Sequence, residues 1–245
     1  MSDQNSTRRT AAAAAVLDAP AAGSAMTPMP VAVSAVIFAL RDGSLDLPLV
    51  WRTKEPHARR WALPGGPVLL DEGLGDAAGR TLAETTGLRP AYLEQLYTFG
   101  LPGRSPSGRV VTVAYWALVR SDEAEQAEQA FATEGVRWFP ADDLPRLAFD
   151  HNTVVEYALW RLRNKVEYAH VAYRVLGDTF TMAQLRGVYE AILGRQLDPA
   201  NFRRHVEATG TIVPTAHRLT GGRHRPPRLY TCHATIDGFA RGPAS

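Results

Sequence analysis

The sequence predicts an α+β protein with two domains, in which a strand-rich N-terminal domain precedes a smaller, basic helical domain. β-branched runs separated by turn residues recur within residues 31–140, and apolar residues at helical spacing recur within residues 150–209. The charge also changes sign along the chain. The whole chain has a net charge of +2, and residues 150–245 contain 13 Lys/Arg against 8 Asp/Glu, which leaves −3 for the first 149 residues. This asymmetry is typical of a small-molecule domain joined to a nucleic-acid-binding domain, and two ordinary solvated surfaces are the alternative.

The composition excludes a disordered, fibrous or membrane-spanning chain. Of the 245 residues, 45% are apolar and 21% are charged, as in globular proteins. The longest apolar runs, such as 32–40 and 110–119, span about ten residues, roughly half of a transmembrane helix. The apolar run 11–16 is too short for a secretory signal, and Cys232 is the one cysteine, so no internal disulfide can form. We therefore expect a cytoplasmic protein without a membrane partner.

The N-terminal part divides into a tail and a sheet domain. Residues 1–28 lack aromatic residues and are rich in Ala, Ser and Thr, which predicts a disordered tail. Residues 29–148 form the predicted sheet domain, and Arg41–Ser44 is a turn that joins its first two strands into a hairpin. The predicted strands are 31–40, 47–52, 92–99, 110–120 and 138–140. One helix is predicted from Leu74 to Thr86, with Gly87 as its C-cap.

A linking helical segment over residues 149–176 is predicted between the domains. Asp150 is positioned to cap its helix, and the following residues place one apolar stripe on that helix. The stripe consists of Val154, Val155, Ala158, Leu159, Leu162 and Val166.

Residues 177–245 are predicted to form a helix-turn-helix followed by a two-stranded wing. The first helix, 181–193, carries apolar residues on one face and ends at Gly194. Asp198 and Pro199 provide the N-cap and first position of a second helix that extends to Thr209. The wing strands are 212–214 and 229–231, joined across a Gly221–Gly222 turn.

The segment from Gly66 to Leu88 carries the motif that indicates a function. It contains Gly66, five residues, Glu72, seven residues, and then the run Arg80-Thr81-Leu82-Ala83-Glu84-Thr85-Thr86-Gly87-Leu88. This spacing resembles the Nudix box, G-x5-E-x7-R-E-U-x-E-E-x-G-U with U aliphatic, and it meets seven of the nine fixed positions. The resemblance implies a Nudix α/β/α sandwich for the N-terminal domain.

Both departures from the box lie at positions that bind metal. In Nudix hydrolases the box helix presents glutamates to Mg²⁺, because this ion takes several carboxylate oxygens together with substrate phosphates. Thr81 and Thr85 replace two of these glutamates, and the resemblance gives Glu72 a structural role, so Glu84 is the one carboxylate left. We therefore expect no catalytic residue, no metal site and no required cofactor. Glu84 is either a surviving metal ligand or a solvated side chain that pairs with Arg80.

Loss of catalysis does not require loss of binding. Backbone N–H groups at a glycine turn and Arg side chains suit phosphate oxygens, so this site can still accept an ADP-ribose-like diphosphate. In the Nudix resemblance the nucleotide lies over the box. The expected ligand-binding residues are Arg52, Gly65, Gly66, Arg80 and Glu84. A plain surface arginine is the alternative for Arg52.

The C-terminal half carries a second resemblance. The segments 180–185, 188–195 and 197–204 are similar to the winged-helix domain of the NrtR family, Nudix-related transcriptional regulators of NAD metabolism. The resemblance covers about residues 31–232, with both domains in the same order. It implies a homodimeric DNA-binding repressor of NAD biosynthesis or salvage genes, with ADP-ribose or a related NAD metabolite as its effector.

The residue types in this half support a double-stranded DNA operator as partner. The helix that begins at Pro199 exposes polar and basic residues between the inward-facing Phe202 and Val206, and the wing adds arginines. The expected DNA-binding residues are Asn201, Arg203, Arg204, His205, Arg218, Arg223, Arg225 and Arg228. Two other hypotheses are a magnesium-dependent ADP-ribose pyrophosphatase with an accessory domain, and a protein-interaction adaptor that binds neither ligand nor DNA.

Overall fold

A computed structural model describes residues 29–130, 135–166, 170–218 and 226–232. The tail predicted at 1–28 and the predicted Gly221–Gly222 turn lie outside the described residues. Within these ranges, no helix is long and apolar enough to cross a membrane.

The N-terminal domain is built around a seven-stranded mixed sheet. Its strands are β1 (Val31–Arg41), β2 (Ser44–Trp51), β3 (Trp61–Ala62), β4 (Gly65–Pro67), β5 (Glu94–Phe99), β6 (Val111–Val119) and β7 (Val136–Pro140). β1 lies in the centre, where it pairs in parallel with β6 and antiparallel with β2 and β4. The predicted hairpin is confirmed. Asp42 and Gly43 at its turn have φ values of 48° and 81°, as a two-residue turn between twisted strands requires.

Helices cover both faces of this sheet, so the predicted α/β/α sandwich is confirmed. α1 (Leu74–Thr86) and α2 (Ser121–Ala130) pack against one face, where Leu82 and Ala124 join Ile37 of β1 in one apolar cluster. α3 (His151–Val166) packs against the other face, where Val154 contacts the cluster that contains Phe38. Successive side chains of a strand point to opposite faces, and seven consecutive residues of β1 are buried because both faces are covered.

The C-terminal domain contains the predicted helix-turn-helix and wing. After a 3₁₀ helix at His170–Val175, its elements are β8 (Phe180–Thr181), α4 (Met182–Leu193), α5 (Pro199–Ala208), β9 (Ile212–Arg218) and β10 (Arg228–Cys232). β10 lies between β8 and β9, so the wing sheet has three strands rather than the two predicted. A two-residue strand such as β8 is too short to give a sequence periodicity.

Local capping chemistry sets the ends of α4 and α5. Thr181, predicted as the first residue of its helix, is instead the N-cap, and its side chain accepts from the Gln184 backbone N–H while Gln184 reaches back. Gly194 ends α4 in the left-handed conformation, with φ 67°, as predicted. Asp198 caps α5 by accepting from the Asn201 backbone N–H at 2.8 Å, and Pro199 takes the first turn.

Helix α3 joins the cores of both domains. All six residues of its predicted apolar stripe are buried. The cluster that contains them extends without a break from Phe38 and Leu47 of the sheet to Leu185 of α4 and Phe202 of α5. Arg163 of α3 adds polar contacts in both directions, because it donates to the Asp142 carboxylate at 2.7 Å and to the Ile192 carbonyl at 2.9 Å. The predicted linking helix is therefore a shared part of the interior.

Candidate ligand-binding and nucleic-acid-binding sites

Gly65 and Gly66 bring β4 close to β1 and α1. A Cβ atom on Gly65 would lie 2.2 Å from the Val33 carbonyl oxygen, a distance that real side chains do not adopt. A Cβ atom on Gly66 would lie 3.0 Å from Cγ2 of Thr81. The glycine pair therefore lets the backbone pass between the sheet and the box helix.

Arg80 ties the loop before α1 to that helix. Its guanidinium donates to both carboxylate oxygens of Glu72, at 2.8 and 2.6 Å, and to the Pro67 carbonyl at 3.2 Å. It also donates to Glu84 at 3.2 Å, one helical turn further along α1. Glu72 accepts a further hydrogen bond from the Leu69 backbone N–H at 2.8 Å. These contacts agree with the structural role that the Nudix resemblance implies for Glu72.

The hydrogen bonds on Glu72 favour its ionised form. The guanidinium of Arg80 and the Leu69 N–H together lower the pKa of Glu72 from 4.5 to about 2. The same ion pair raises the pKa of Arg80 above its usual value. Glu72 and Arg80 are therefore both charged at neutral pH.

The residues of the box helix do not fit a magnesium ion. The Thr81 hydroxyl donates to the Ala77 carbonyl at 2.8 Å, and the Thr85 hydroxyl donates to the Thr81 carbonyl at 2.7 Å. Both hydroxyls thus bond to their own helix backbone. Glu84 is exposed and paired with Arg80, and the described part of the chain contains no group of three or more His, Cys, Asp or Glu suited to a metal. One exposed carboxylate does not replace the several oxygen ligands that Mg²⁺ requires.

Arg52 lies apart from the other predicted ligand-binding residues. Its guanidinium donates to the Pro56 carbonyl at 2.9 and 3.1 Å and lies 4.8 Å from the ring centroid of Phe149. Partial burial lowers the pKa of Arg52. No hydrogen bond or ion pair joins Arg52 to Gly65, Gly66, Arg80 or Glu84, all of which the structure describes. Four of the five residues lie in or next to the box, and the contacts of Arg52 are with the Pro56 carbonyl and with Phe149, which precedes α3.

Three consecutive residues at the start of α3 are held by three separate loops. Phe149 contacts Arg52, and Asp150 accepts two hydrogen bonds from the buried Arg104, at 2.9 and 2.7 Å. His151 accepts from the Leu63 backbone N–H at 2.9 Å through Nδ1. The predicted capping role of Asp150 is replaced by this Arg104 pair, which a local pattern could not reveal because the partners are 46 residues apart.

Burial keeps His151 neutral. The residue is 7% exposed, and desolvation lowers the pKa of its imidazole from 6.5 to about 4. The neighbouring Asp150 charge opposes this shift, and the positive charges of Arg104 and Arg52 add to it. Nδ1 therefore remains available as the acceptor for the Leu63 N–H at neutral pH.

Helix α5 presents a polar and basic face to solvent. Asn201, Arg203, Arg204 and His205 are exposed, whereas Phe202 and Val206 are buried against α4 and the wing sheet, as predicted. Arg204 donates to the Asn201 side-chain oxygen at 2.7 Å.

The structure describes some of the predicted wing arginines and not others. Arg228 is exposed at the start of β10, opposite Arg218 in the strand register. Arg223 and Arg225 lie outside the described residues, and only the backbone of Arg218 is described.

The architecture is that of a Nudix domain followed by a winged-helix domain. Residues 29–158 match the NUDIX domain, and residues 172–232 match the NrtR DNA-binding winged helix domain. The chain belongs to the NrtR family.

Three relatives illustrate this relationship. The ADPR responsive transcriptional repressor NtrR of Acinetobacter baylyi is 36% identical over 202 residues, which cover 81% of this chain and 80% of that protein. The crystal structure of Shewanella oneidensis NrtR complexed with a 27mer DNA has a TM-score of 0.72 and 36% identity, over 82% of this chain and 93% of that one. An ADP-ribose pyrophosphatase of Methanocaldococcus jannaschii is 32% identical over 114 residues, 46% of this chain and 66% of the enzyme.

The lowered pKa of Glu72 predicts a pH-dependent contribution to stability. A carboxylate whose pKa falls from 4.5 to about 2 on folding stabilises the folded state above about pH 4.5, and this contribution is lost as the pH falls towards 2. We expect Glu72→Gln to unfold at a lower temperature than wild type at neutral pH, with a difference that shrinks across that acidic range. Thermal unfolding at stepped pH values measures this difference.

The matched control is Glu84→Gln, which removes the exposed carboxylate on the same arginine. It should shift the unfolding temperature little at any pH, because solvent-exposed ion pairs contribute little. A deficit of Glu72→Gln that stayed constant from neutral pH to about 2 would contradict the assignment.

Proposed function

We propose that this protein is an ADP-ribose-responsive transcriptional repressor that binds operator DNA as a homodimer. The observation that carries the proposal is the exposed polar and basic face of α5, which is the second helix of a helix-turn-helix attached to a Nudix fold. Similarity over about four fifths of the chain to an ADPR-responsive repressor, and to an NrtR complexed with DNA, supports it. We propose genes of NAD biosynthesis or salvage as its targets and the cytoplasm as its location.

The proposed DNA contacts fall into two groups. Asn201, Arg203, Arg204 and His205 on α5 would contact base edges and phosphates in the major groove, which admits a helix. Arg218, Arg223, Arg225 and Arg228 would contact phosphates from the wing. Because operators with twofold symmetry match twofold protein dimers, two copies of α5 would occupy successive half-sites.

The proposed ligand site lies over the box. Gly65 and Gly66 let β4 pass close to β1 and α1, and their backbone N–H groups, together with Arg80 of α1, would supply donors to a diphosphate, with Glu84 beside Arg80. Arg52 would reach the ligand from the side of Phe149. Any movement of Arg52 towards an anion would change its contact with Phe149, which directly precedes Asp150 and α3.

A second candidate function is hydrolysis of ADP-ribose, which the similarity to the pyrophosphatase favours. The box helix argues against it, because Thr81 and Thr85 stand at glutamate positions and both hydroxyls bond to the helix backbone. We propose that the Nudix domain binds its ligand without converting it.

The first prediction of this proposal is that the purified protein does not release AMP from ADP-ribose in the presence of Mg²⁺ at an enzymatic rate. Chromatography of the nucleotides over time measures the product. Turnover of about 1 per second or faster would contradict the proposal. Glu84→Gln is the control for contamination, since activity that persists in this variant does not depend on the one carboxylate left at a metal-binding position of the box.

The second prediction is that the protein retards a palindromic duplex taken from upstream of its target genes. We expect Arg204→Ala to weaken this binding by roughly 1–3 kcal/mol if Arg204 contacts a base. Arg109→Ala removes the same charge from an exposed position in the Nudix domain and should leave the affinity unchanged. Equal affinities for wild type and both variants would remove Arg204 from the DNA surface, and no retardation by wild type would refute the function.

A further inference from the structure

Arg203 is held by two partners, one on its own helix and one on the wing sheet. Its Nε donates to the Glu207 carboxylate at 2.9 Å, and its Nη2 donates to the Tyr230 hydroxyl at 3.2 Å. The Tyr230 hydroxyl in turn donates to the same Glu207 oxygen at 3.2 Å. Each hydrogen is used once, so the three side chains form a closed network that we call the Arg203 triad.

The triad connects a solvent-facing guanidinium to the interior. The side chains of Arg203 and Glu207 are 55% and 43% exposed, whereas Tyr230 is 3% exposed. Tyr230 lies on β10, the central strand of the wing sheet, and pairs with Phe180 on one side and Pro214 on the other. The wing sheet therefore holds the Tyr230 hydroxyl in place as a hydrogen-bond acceptor for Arg203.

This arrangement fixes the direction of the guanidinium before any contact is made. An exposed arginine ordinarily samples many rotamers, which are lost when it binds. In the triad the Nε hydrogen and one Nη2 hydrogen are occupied, which leaves both Nη1 hydrogens and the second Nη2 hydrogen for another acceptor. Two parallel donors, one on each terminal nitrogen, match the O6 and N7 acceptors of guanine in the major groove.

The negative charge of Glu207 has a second consequence. It lies on the helix face that carries Arg203, so it opposes the approach of phosphates to this face. A carboxylate at this position lowers the affinity for any duplex and leaves the contact with the correct base to offset that cost. This electrostatic cost is the same for every sequence, so discrimination depends on the base contact itself.

We propose that Glu207 and Tyr230 are positioning residues that hold Arg203 for bidentate contact with one guanine of the operator half-site. This inference rests on the proposed DNA-binding function and assigns part of its sequence specificity. The wing sheet thus contributes to the contact with bases as well as to contacts with the phosphate backbone.

The test uses fluorescence anisotropy with the full-length protein at fixed salt concentration. The probes are the retarded palindrome, a set of duplexes in which each G·C pair of the half-site is replaced in turn by A·T, and a scrambled duplex of equal length. For wild type we expect one replacement to weaken binding by about tenfold or more, and we call this loss of affinity the penalty at that base pair. We expect Arg203→Ala to abolish this penalty.

Tyr230→Phe is the decisive variant because it removes one hydroxyl and no charge. We expect it to reduce the penalty at the same G·C pair by at least about threefold, with unchanged affinity for the scrambled duplex. Glu207→Gln should reduce the same penalty and raise the affinity for the scrambled duplex, since a negative charge is lost. Tyr189→Phe is the matched control, because the Tyr189 hydroxyl is bonded to Tyr173 rather than to Arg203.

The outcomes separate the inference from the function on which it rests. A penalty unchanged in Tyr230→Phe, or a penalty reduced equally in Tyr189→Phe, overturns the positioning role. Discrimination that survives in Arg203→Ala overturns the guanine contact. If wild type binds no duplex at all, the DNA-binding function and this inference both fail.

Discussion

Helix α3 packs against both domains and holds the winged helix against the Nudix sheet. Its buried face, which includes Val154, Ala158 and Leu162, meets the Nudix sheet and also α4 in one continuous cluster. Each fully buried aliphatic side chain of the size of Val or Leu contributes about 1.5–3 kcal/mol, so these contacts are a large fraction of the net stability of a domain. The winged helix therefore cannot reorient freely with respect to the Nudix domain, and a change at the start of α3 acts on both.

The start of α3 connects the proposed ligand site with the proposed DNA-binding domain. Arg52, Leu63 and Arg104 come from three loops of the Nudix domain, and they contact three successive residues, Phe149, Asp150 and His151. Leu63 directly precedes the Pro-Gly-Gly segment of the box, and Arg52 is a proposed ligand-binding residue. These loops contact the start of α3, so a ligand that binds more tightly to one arrangement of the loops also favours one position of α3. Such a difference in affinity is what shifts the population between two states.

The sequence predicted the elements whose signals are local. Apolar periodicity located α1, α3, α4 and α5, and Asp198-Pro199 marked the start of α5. It missed α2, because only Ala124 and Ala127 are buried there and such a narrow stripe differs little from a loop. The box spacing predicted Gly66, Arg80 and Glu84 as ligand-binding residues, and that role stays a prediction. The Arg104–Asp150 and Arg203–Tyr230 contacts join residues 46 and 27 positions apart. Pairings of this kind depend on the tertiary fold and leave no pattern in the sequence.

We expect occupancy of the Nudix domain to change the DNA affinity of the winged helix through α3. Because thermodynamic coupling is reciprocal, this can be measured by isothermal titration of ADP-ribose into the protein, alone and saturated with operator duplex. Operator DNA should weaken ADP-ribose binding by about 5- to 150-fold, which corresponds to a coupling free energy of roughly 1–3 kcal/mol. An ADP-ribose affinity that is the same with and without bound operator would contradict it.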